Sequence, residues 1–451
     1  MPQLPWPANG SLGQARGIGS DGATRLWILT GPCVLTLVAT VEYIQTVMLP
    51  AGPNPGYPNR AWSRLMESIY LDYNATAPIW PQAAQAMHDV LAAGYVNPAS
   101  QHAAGRAARK LLADTRDELG SRLGAQTDVI RPDKVVLTSG GTEANNLALF
   151  GLSRDQPGQV IVSAVEHPSV SDAADELARS GRIVQRLSVS TAGIVDLEQL
   201  ERLLAEPTAL VSVMWANNET GAIQPVAEIA DLCRRHGVPL HVDAVQVAGK
   251  LAVDFTALGP TTLAVSAHKF HGPTGCGALI VSRSARELRP VAFGGHQQHG
   301  LRPGTEAIAP AVGMLAALRI WDDLRNALAA QMRELRDRFE AGILAGCPDA
   351  VINAVQAERL PQTSNVAFPG VDRQQLLIAL DMAGVACSTG SACSSGSSEP
   401  SPVLVAMGLP ESVIEGSLRV SLGPATTAAE VDLAVERILM AVKNLRHRQF
   451  A

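Results

Sequence analysis

From about Asp133 onward, short β-branched runs alternate with helical patterns: KVVLTS, QVIVSAVEH, RIVQRLSV, ALVSVMWA, PLHVDAV, TLAVSAH and GALIVSR, with helices such as Asp196 to Glu206 between them. A helical crossover returns the chain to the same sheet in the same direction, so this rhythm predicts a mainly parallel sheet covered by helices on both faces. The chain therefore reads as α/β, and ligand chemistry is expected at the carboxyl ends of the strands. After Gly304 the pattern changes to a helical stretch from Ala307 to about Ala345, then strands near Val351 and Asn365 and helices near Gln374 and Val431. That is the pattern of a smaller α+β domain. The expected division is a large domain over 80–325, a small one made of 66–79 with 326–451, and an N-terminal extension over 1–65.

With 451 residues, 47% of them apolar, the chain can bury a sizeable core. Its formal charge is -6, and Lys and Arg are spread along it, which leaves no electrostatic footprint for nucleic acid or an anionic membrane and points to a small partner. The six cysteines, Cys33, Cys233, Cys276, Cys347, Cys387 and Cys393, contain no CxxC pair. This argues against a zinc knuckle and a disulfide framework and fits a reducing cytoplasm. An apolar run from Leu26 to Val41 falls short of the about 20 residues a spanning helix needs, and Gly31-Pro32 interrupts it. Met66 opens directly into the first motif and has the look of a translation start, with the Pro- and Gly-rich stretch Pro50 to Pro58 upstream of it or part of a disordered tail.

Three features carry chemistry. Lys269 follows the strand TLAVSAH, where an amine can form a Schiff base with a carbonyl cofactor. Asp243 closes the apolar strand PLHVDAV, and burying a carboxylate there is costly unless it meets a partner such as a protonated pyridine nitrogen. The run Thr138-Ser139-Gly140-Gly141-Thr142-Glu143 leads from a strand into a helical pattern, a turn that suits a phosphate at a helix N-terminus. Singly, a surface lysine, a paired carboxylate and a plain glycine turn are the blander readings. In this order they describe the three handles of pyridoxal phosphate. The stretch Ser388 to Ser401 is rich in Ser and Gly, holds Cys393, and reads as a loop with a function.

Together with YLDYNATAP (Tyr70 to Pro78), NPASQH, TSGGTEANN, EHPSV, NNETGAIQPV, HVDAVQ, SAHKFHGPTG, RPGTE, the segment Ser391 to Pro402 and LRVSLG, these residues resemble the cysteine desulfurases, a branch of the class V aminotransferase family; the match runs from about Tyr70 to Ile438. The resemblance implies the pyridoxal-phosphate-dependent transferase fold of type I and conversion of L-cysteine to L-alanine with a persulfide left on Cys393. Position by position, it implies Lys269 as the covalent anchor of the cofactor, His167 stacked on the ring and moving protons, Asp243 on the pyridine nitrogen and Gln246 on the phenolic oxygen. Gly141, Thr142, Ser266 and His268 would bind the phosphate, joined by Thr305 from the other subunit of a homodimer. Asn217 and Arg419 would hold the substrate carboxylate, the arginine as a bidentate fork. An unperturbed thiol has a pKa of roughly 8.5, so Cys393 needs a lowered value or a base such as His167.

The resemblance also implies delivery of sulfur to an acceptor or iron-sulfur scaffold protein, and a transient iron-sulfur species at Cys393 as the one metal expectation. Cys387 stands where the pattern has a small residue; a buried apolar role is the expected one, a second sulfur station the alternative. Two other functions fit less of the sequence. A selenocysteine lyase or another aminotransferase would share the fold, but an aminotransferase needs no loop thiol. A non-catalytic sulfur-trafficking scaffold has no use for Lys269 and Asp243.

Overall fold

The structure, a computed structural model, describes residues 68–285, 288–390 and 399–449. The expected extension over 1–65 with its apolar run, the start at Met66, and both Cys33 and Cys393 lie outside the described residues.

After a short strand, β1 (Ile69–Tyr70), each run read as a strand forms one: β2 (Lys134–Thr138), β3 (Gln159–Ser163), β4 (Val184–Leu187), β5 (Thr208–Met214), β6 (Leu240–Asp243), β7 (Thr262–Ser266) and β8 (Gly277–Val281). They make one seven-stranded sheet in the order β2-β8-β7-β6-β5-β3-β4. Neighbours from β7 to β4 pair in parallel, whereas β8 runs antiparallel to both β7 and β2. The fold is thus the expected α/β class with a mainly parallel sheet.

The central strands are buried along their whole length, which only a sheet covered on both faces requires. One apolar cluster joins Val160 and Val162 of β3, Leu210 of β5 and Leu279 of β8 to Leu147, Ala148 and Leu152 of the helix Gly141–Ser153. The helix starts are written in the sequence: Asp196 caps Leu197–Leu204 by accepting from the Gln199 N–H, and Pro168 opens Pro168–Arg179 behind His167.

The helix Ile308–Gly346 is 39 residues long and runs across the expected division at residue 325. In its first half Trp321 stacks on Trp80, ring centroids 5.8 Å apart, and donates to the Phe270 carbonyl at 3.1 Å. In its second half Leu335, Phe339 and Ile343 share an apolar cluster with Ile69, Leu71, Val366, Leu418, Val431 and Ile438. Those residues surround a three-stranded antiparallel sheet of β9 (Val351–Ile352), β10 (Thr363–Ala367) and β12 (Ser417–Ser421), with β11 (Val385–Ala386) paired parallel to β1 and the helix Ala428–Gln449 alongside. Among the described residues no helix is long and apolar enough to cross a membrane.

Candidate active site

The parallel strands point their carboxyl ends at one edge of the sheet, and four of them are followed there by expected site residues: His167 after β3, Asn217 after β5, Gln246 after Asp243 at the end of β6, and Lys269 after β7. A cavity of about 340 Å³ lies at this edge. Of the expected residues, Gly141, Thr142, His167, Asp243, Gln246, Ser266, His268, Lys269 and Arg419 line it. A larger groove of about 920 Å³ between Phe150, Leu177, Ile183 and Phe293 is lined by no lysine and no carboxylate.

Lys269 sits on the tight turn Ala267–Phe270, which the Trp321 hydrogen bond pins from behind. Its Nζ donates to the carbonyl oxygens of Asn74 at 2.7 Å and Ala75 at 2.8 Å. Asp243 is 5% exposed; its Oδ1 accepts from the Val245 N–H at 2.9 Å and its Oδ2 from Asn145 Nδ2 at 2.7 Å. Two oxygens offer about four lone-pair sites, so the carboxylate can take a further donor.

The turn before the helix Gly141–Ser153 is shaped for close approach. A Cβ on Gly141 would lie 2.7 Å from Val245 Cγ2, and one on Gly277 2.8 Å from Gly140 Cα. Beside it, Ser266 Oγ is buried and has no hydrogen-bond partner within the protein. A buried orphan hydroxyl at a helix N-terminus is what a phosphate oxygen would satisfy. The donor set therefore fits pyridoxal phosphate at each of its three handles.

His167 caps the helix Pro168–Arg179, and its Nδ1 accepts from the Ser169 N–H at 3.1 Å. Burial pushes its imidazole below the ordinary value; Asp243 opposes that shift, and Lys269 adds to it. His268, bonded through Nδ1 to Thr76 Oγ1 at 3.1 Å, is pushed down to about 4 by burial and by the charges of Lys269 and Lys250.

Gln246 donates through Nε2 to the Asn74 carbonyl at 3.0 Å and accepts through Oε1 from Lys250 at 3.2 Å. Lys250 is itself 4% exposed, and burial together with the charge of Lys269 pushes it down to about 7 from 10.5. Between those values the unfolded chain binds a proton that the folded cofactor-free protein does not, so this site's contribution to stability rises with pH across the window. Urea denaturation of cofactor-free protein at several pH values is expected to show that rise in the wild type. Lys250→Met is expected to flatten it and to be more stable than the wild type near pH 7; a slope unchanged in Lys250→Met would contradict the assignment.

Asn217 is not among the residues that line the cavity. Its side chain is 1% exposed and engaged in its own turn, accepting from the Glu219 and Thr220 N–H groups at 2.9 Å and donating to the Val165 carbonyl at 3.1 Å. Its neighbour Asn218 faces the cavity instead. Thr305 is exposed and does not line the cavity of its own chain.

Arg419 is 2% exposed and far from a surface cation. Its Nη2 pairs with Asp72 Oδ1 at 2.7 Å, its Nη1 donates to the Asn218 carbonyl at 3.1 Å, and its Nε is buried without a partner. Cys387 packs half-buried against the apolar cluster around β12, and burial raises its thiol to about 12. That environment matches the apolar reading. Burial likewise raises Cys233 and Cys276 to about 12. Among the described residues no three His, Cys, Asp or Glu side chains gather to hold a metal, and the iron-sulfur expectation at Cys393 falls outside them.

Four contributors to this edge were not singled out from the sequence: Asp72 and Asn74 within YLDYNATAP, Asn145 within TSGGTEANN, and Lys250. The first three lie inside motifs already quoted, so their neighbourhood was visible although their contacts were not.

The class-V aminotransferase family model matches residues 69–434. A cysteine desulfurase of Enterobacter agglomerans is 39% identical over 383 residues, covering 84% of this chain and 94% of that protein. One from Nostoc sp. is 40% identical over 384 residues, with 84% and 94% covered. The X-ray structure of a NifS-like protein from Rickettsia africae superposes with a TM-score of 0.76 at 31% identity, covering 83% of this chain and 99% of the other. The chain belongs to the class-V aminotransferase family, in which its curated relatives are cysteine desulfurases.

Proposed function

We propose that the protein is a pyridoxal-phosphate-dependent cysteine desulfurase: it converts L-cysteine to L-alanine and leaves the sulfur on Cys393 as a persulfide. The observation that carries this reading is that one cavity collects an amine, Lys269, a buried carboxylate, Asp243, an orphan hydroxyl, Ser266, and a buried guanidinium, Arg419. When bound, pyridoxal phosphate supplies the electron sink that lets the carbon next to the substrate's amino group lose its proton.

The protein's own groups then divide the work. Asp243 holds the ring nitrogen, Gln246 presents its N–H₂ toward the phenolic oxygen, and Gly141, Thr142, Ser266 and His268 hold the phosphate. Arg419 fixes the substrate carboxylate, Asn218 replacing Asn217 beside it. Lys269 returns or removes the proton at the α-carbon, and a neutral His167 is suited to accept one. At the sulfur, the C–S bond of cysteine breaks as an S–S bond to Cys393 forms; a proton moves to carbon, so cysteine plus thiol becomes alanine plus persulfide with no outside oxidant.

Further parts belong to the same reading. The large domain spans 80–325 and the small one 66–79 with 326–451, in line with the apolar cluster that Ile69 and Leu71 share with the C-terminal elements. The protein works as a homodimer in the cytoplasm, with the exposed Thr305 serving the partner's phosphate, and passes its sulfur to an acceptor or scaffold protein. The test is alanine and persulfide formation from cysteine by the wild type against Cys393→Ala and Lys269→Ala. Alanine made at the wild-type rate by Cys393→Ala points to another aminotransferase chemistry, and a wild type that retains no cofactor and makes no alanine points to a scaffold.

A further inference from the structure

Asn145, on the helix Gly141–Ser153, is 1% exposed, yet every polar atom of its side chain is engaged. Its Nδ2 donates to Asp243 Oδ2 at 2.7 Å and to Ser169 Oγ at 2.8 Å, and its Oδ1 lies 3.0 Å from His241 Nε2. The orientation of the amide follows from its partners. A carboxylate accepts only, so the N–H₂ must face Asp243 and the oxygen must face His241.

His241 is fully buried and pushed down to about 3 by burial, so it is neutral. Its one proton sits on Nε2, facing Asn145 Oδ1, and its Nδ1 accepts from the Thr262 hydroxyl at 2.9 Å. On the other side, Ser169 Oγ already accepts from Asn145, so its proton is directed to His167 Nδ1 at 2.9 Å, beside the Ser169 backbone N–H at 3.1 Å. Two donors on Nδ1 place the proton of the neutral His167 ring on Nε2.

We infer that Asn145 is a positioning residue which, through one amide, holds Asp243 as an acceptor for the cofactor ring and commits the Ser169 hydroxyl proton to His167. His241 and Thr262 lock that amide from behind. This deepens the proposed function and rests on its placement of Asp243 and His167 at the cofactor. Hydrogen bonds to the neutral form of a histidine disfavour its charged form, so the chain Asn145–Ser169 keeps His167 unprotonated and able to accept a proton. The charged groups that face His167 are Asp243 at the end of β6, Lys269 after β7, Asp172 on its own helix and Arg419 on β12.

The test is a pH titration of the ring nitrogens of His167 by ¹⁵N NMR in the full-length protein, with and without bound pyridoxal phosphate; His167→Gln identifies its signals. The wild type is expected to show a proton on Nε2 and a low midpoint. Asn145→Leu, and independently Ser169→Ala, should raise that midpoint by about one unit, while Ser169→Thr, which keeps the hydroxyl, should match the wild type. In the loaded enzyme the first two should lower kcat by about tenfold or more with a smaller change in KM. Midpoints unchanged in both Asn145→Leu and Ser169→Ala would overturn the inference. If Asn145→Leu does not fold, Ser169→Ala decides alone. Because the titration is read without turnover, its outcome is separable from whether the protein makes alanine.

Discussion

Lys269→Ala is expected to abolish alanine formation, with a loss on the order of 10⁴-fold or more, the scale set by removing a covalent catalytic group. The substitution should leave the fold intact. Lys269 donates to the carbonyls of Asn74 and Ala75, and the Asn74 carbonyl keeps the Gln246 N–H at 3.0 Å when the lysine is gone. Borohydride reduction followed by mass measurement of the intact chain checks the covalent role separately from the rate. The wild type should retain the cofactor covalently and Lys269→Ala should not. A variant that still fixes the cofactor covalently would move the anchoring role to another amine, and Lys250, the other lysine beside the site, would be the first to examine.

Arg419→Met is expected to lower kcat/KM for cysteine through the loss of a buried, hydrogen-bonded cation, an effect of about 2–5 kcal/mol, or roughly 30-fold to several-thousand-fold. Two things are lost together. The substrate carboxylate has no fork, and Asp72 loses the guanidinium that sits 2.7 Å away. A steady-state comparison with Asp72→Asn separates them: Asp72→Asn should retain the guanidinium and lose far less than Arg419→Met. Equal losses in the two variants would mean that the pair matters to folding and not to substrate binding.

How much of this was legible in the sequence depends on the distance over which each feature is determined. The strands β2 to β8 are short β-branched runs whose alternation with helices is local information, and all seven stand where the pattern puts them. The reversal of β8 is also local in origin: only residues 267–276 separate it from β7, and a parallel crossover needs a helix of a dozen or more residues. The site residues Asp243 and Lys269 could be picked because the first ends a strand and the second follows one within three residues, and strand ends converge in an open parallel sheet.

What the sequence did not disclose is who touches whom across the topology. Arg419 pairs with Asp72 across 347 positions, and Asn145 reaches Asp243 across 98; neither separation has a periodicity to betray it. The proposed exchange of Asn217 for Asn218 has the opposite cause. A local turn captures the Asn217 amide oxygen with three donors from Glu219 and Thr220, a preference of asparagine that competes with any ligand role. The division expected at residue 325 falls inside a continuous helix, whose second half joins the apolar cluster around β12 while Trp321 in its first half packs on Trp80, a tertiary fact that its unbroken helical pattern conceals.

The most direct test of the central claim is the mass of the cysteine-containing peptides after the loaded enzyme is mixed once with one equivalent of cysteine and trapped with an alkylating reagent. The expected result is one added sulfur on the peptide that holds Cys393, released alanine in equal amount, and no added sulfur on Cys233, Cys276 or Cys387, whose thiols burial raises to about 12. Alanine released with the Cys393 peptide unchanged in mass would contradict the account.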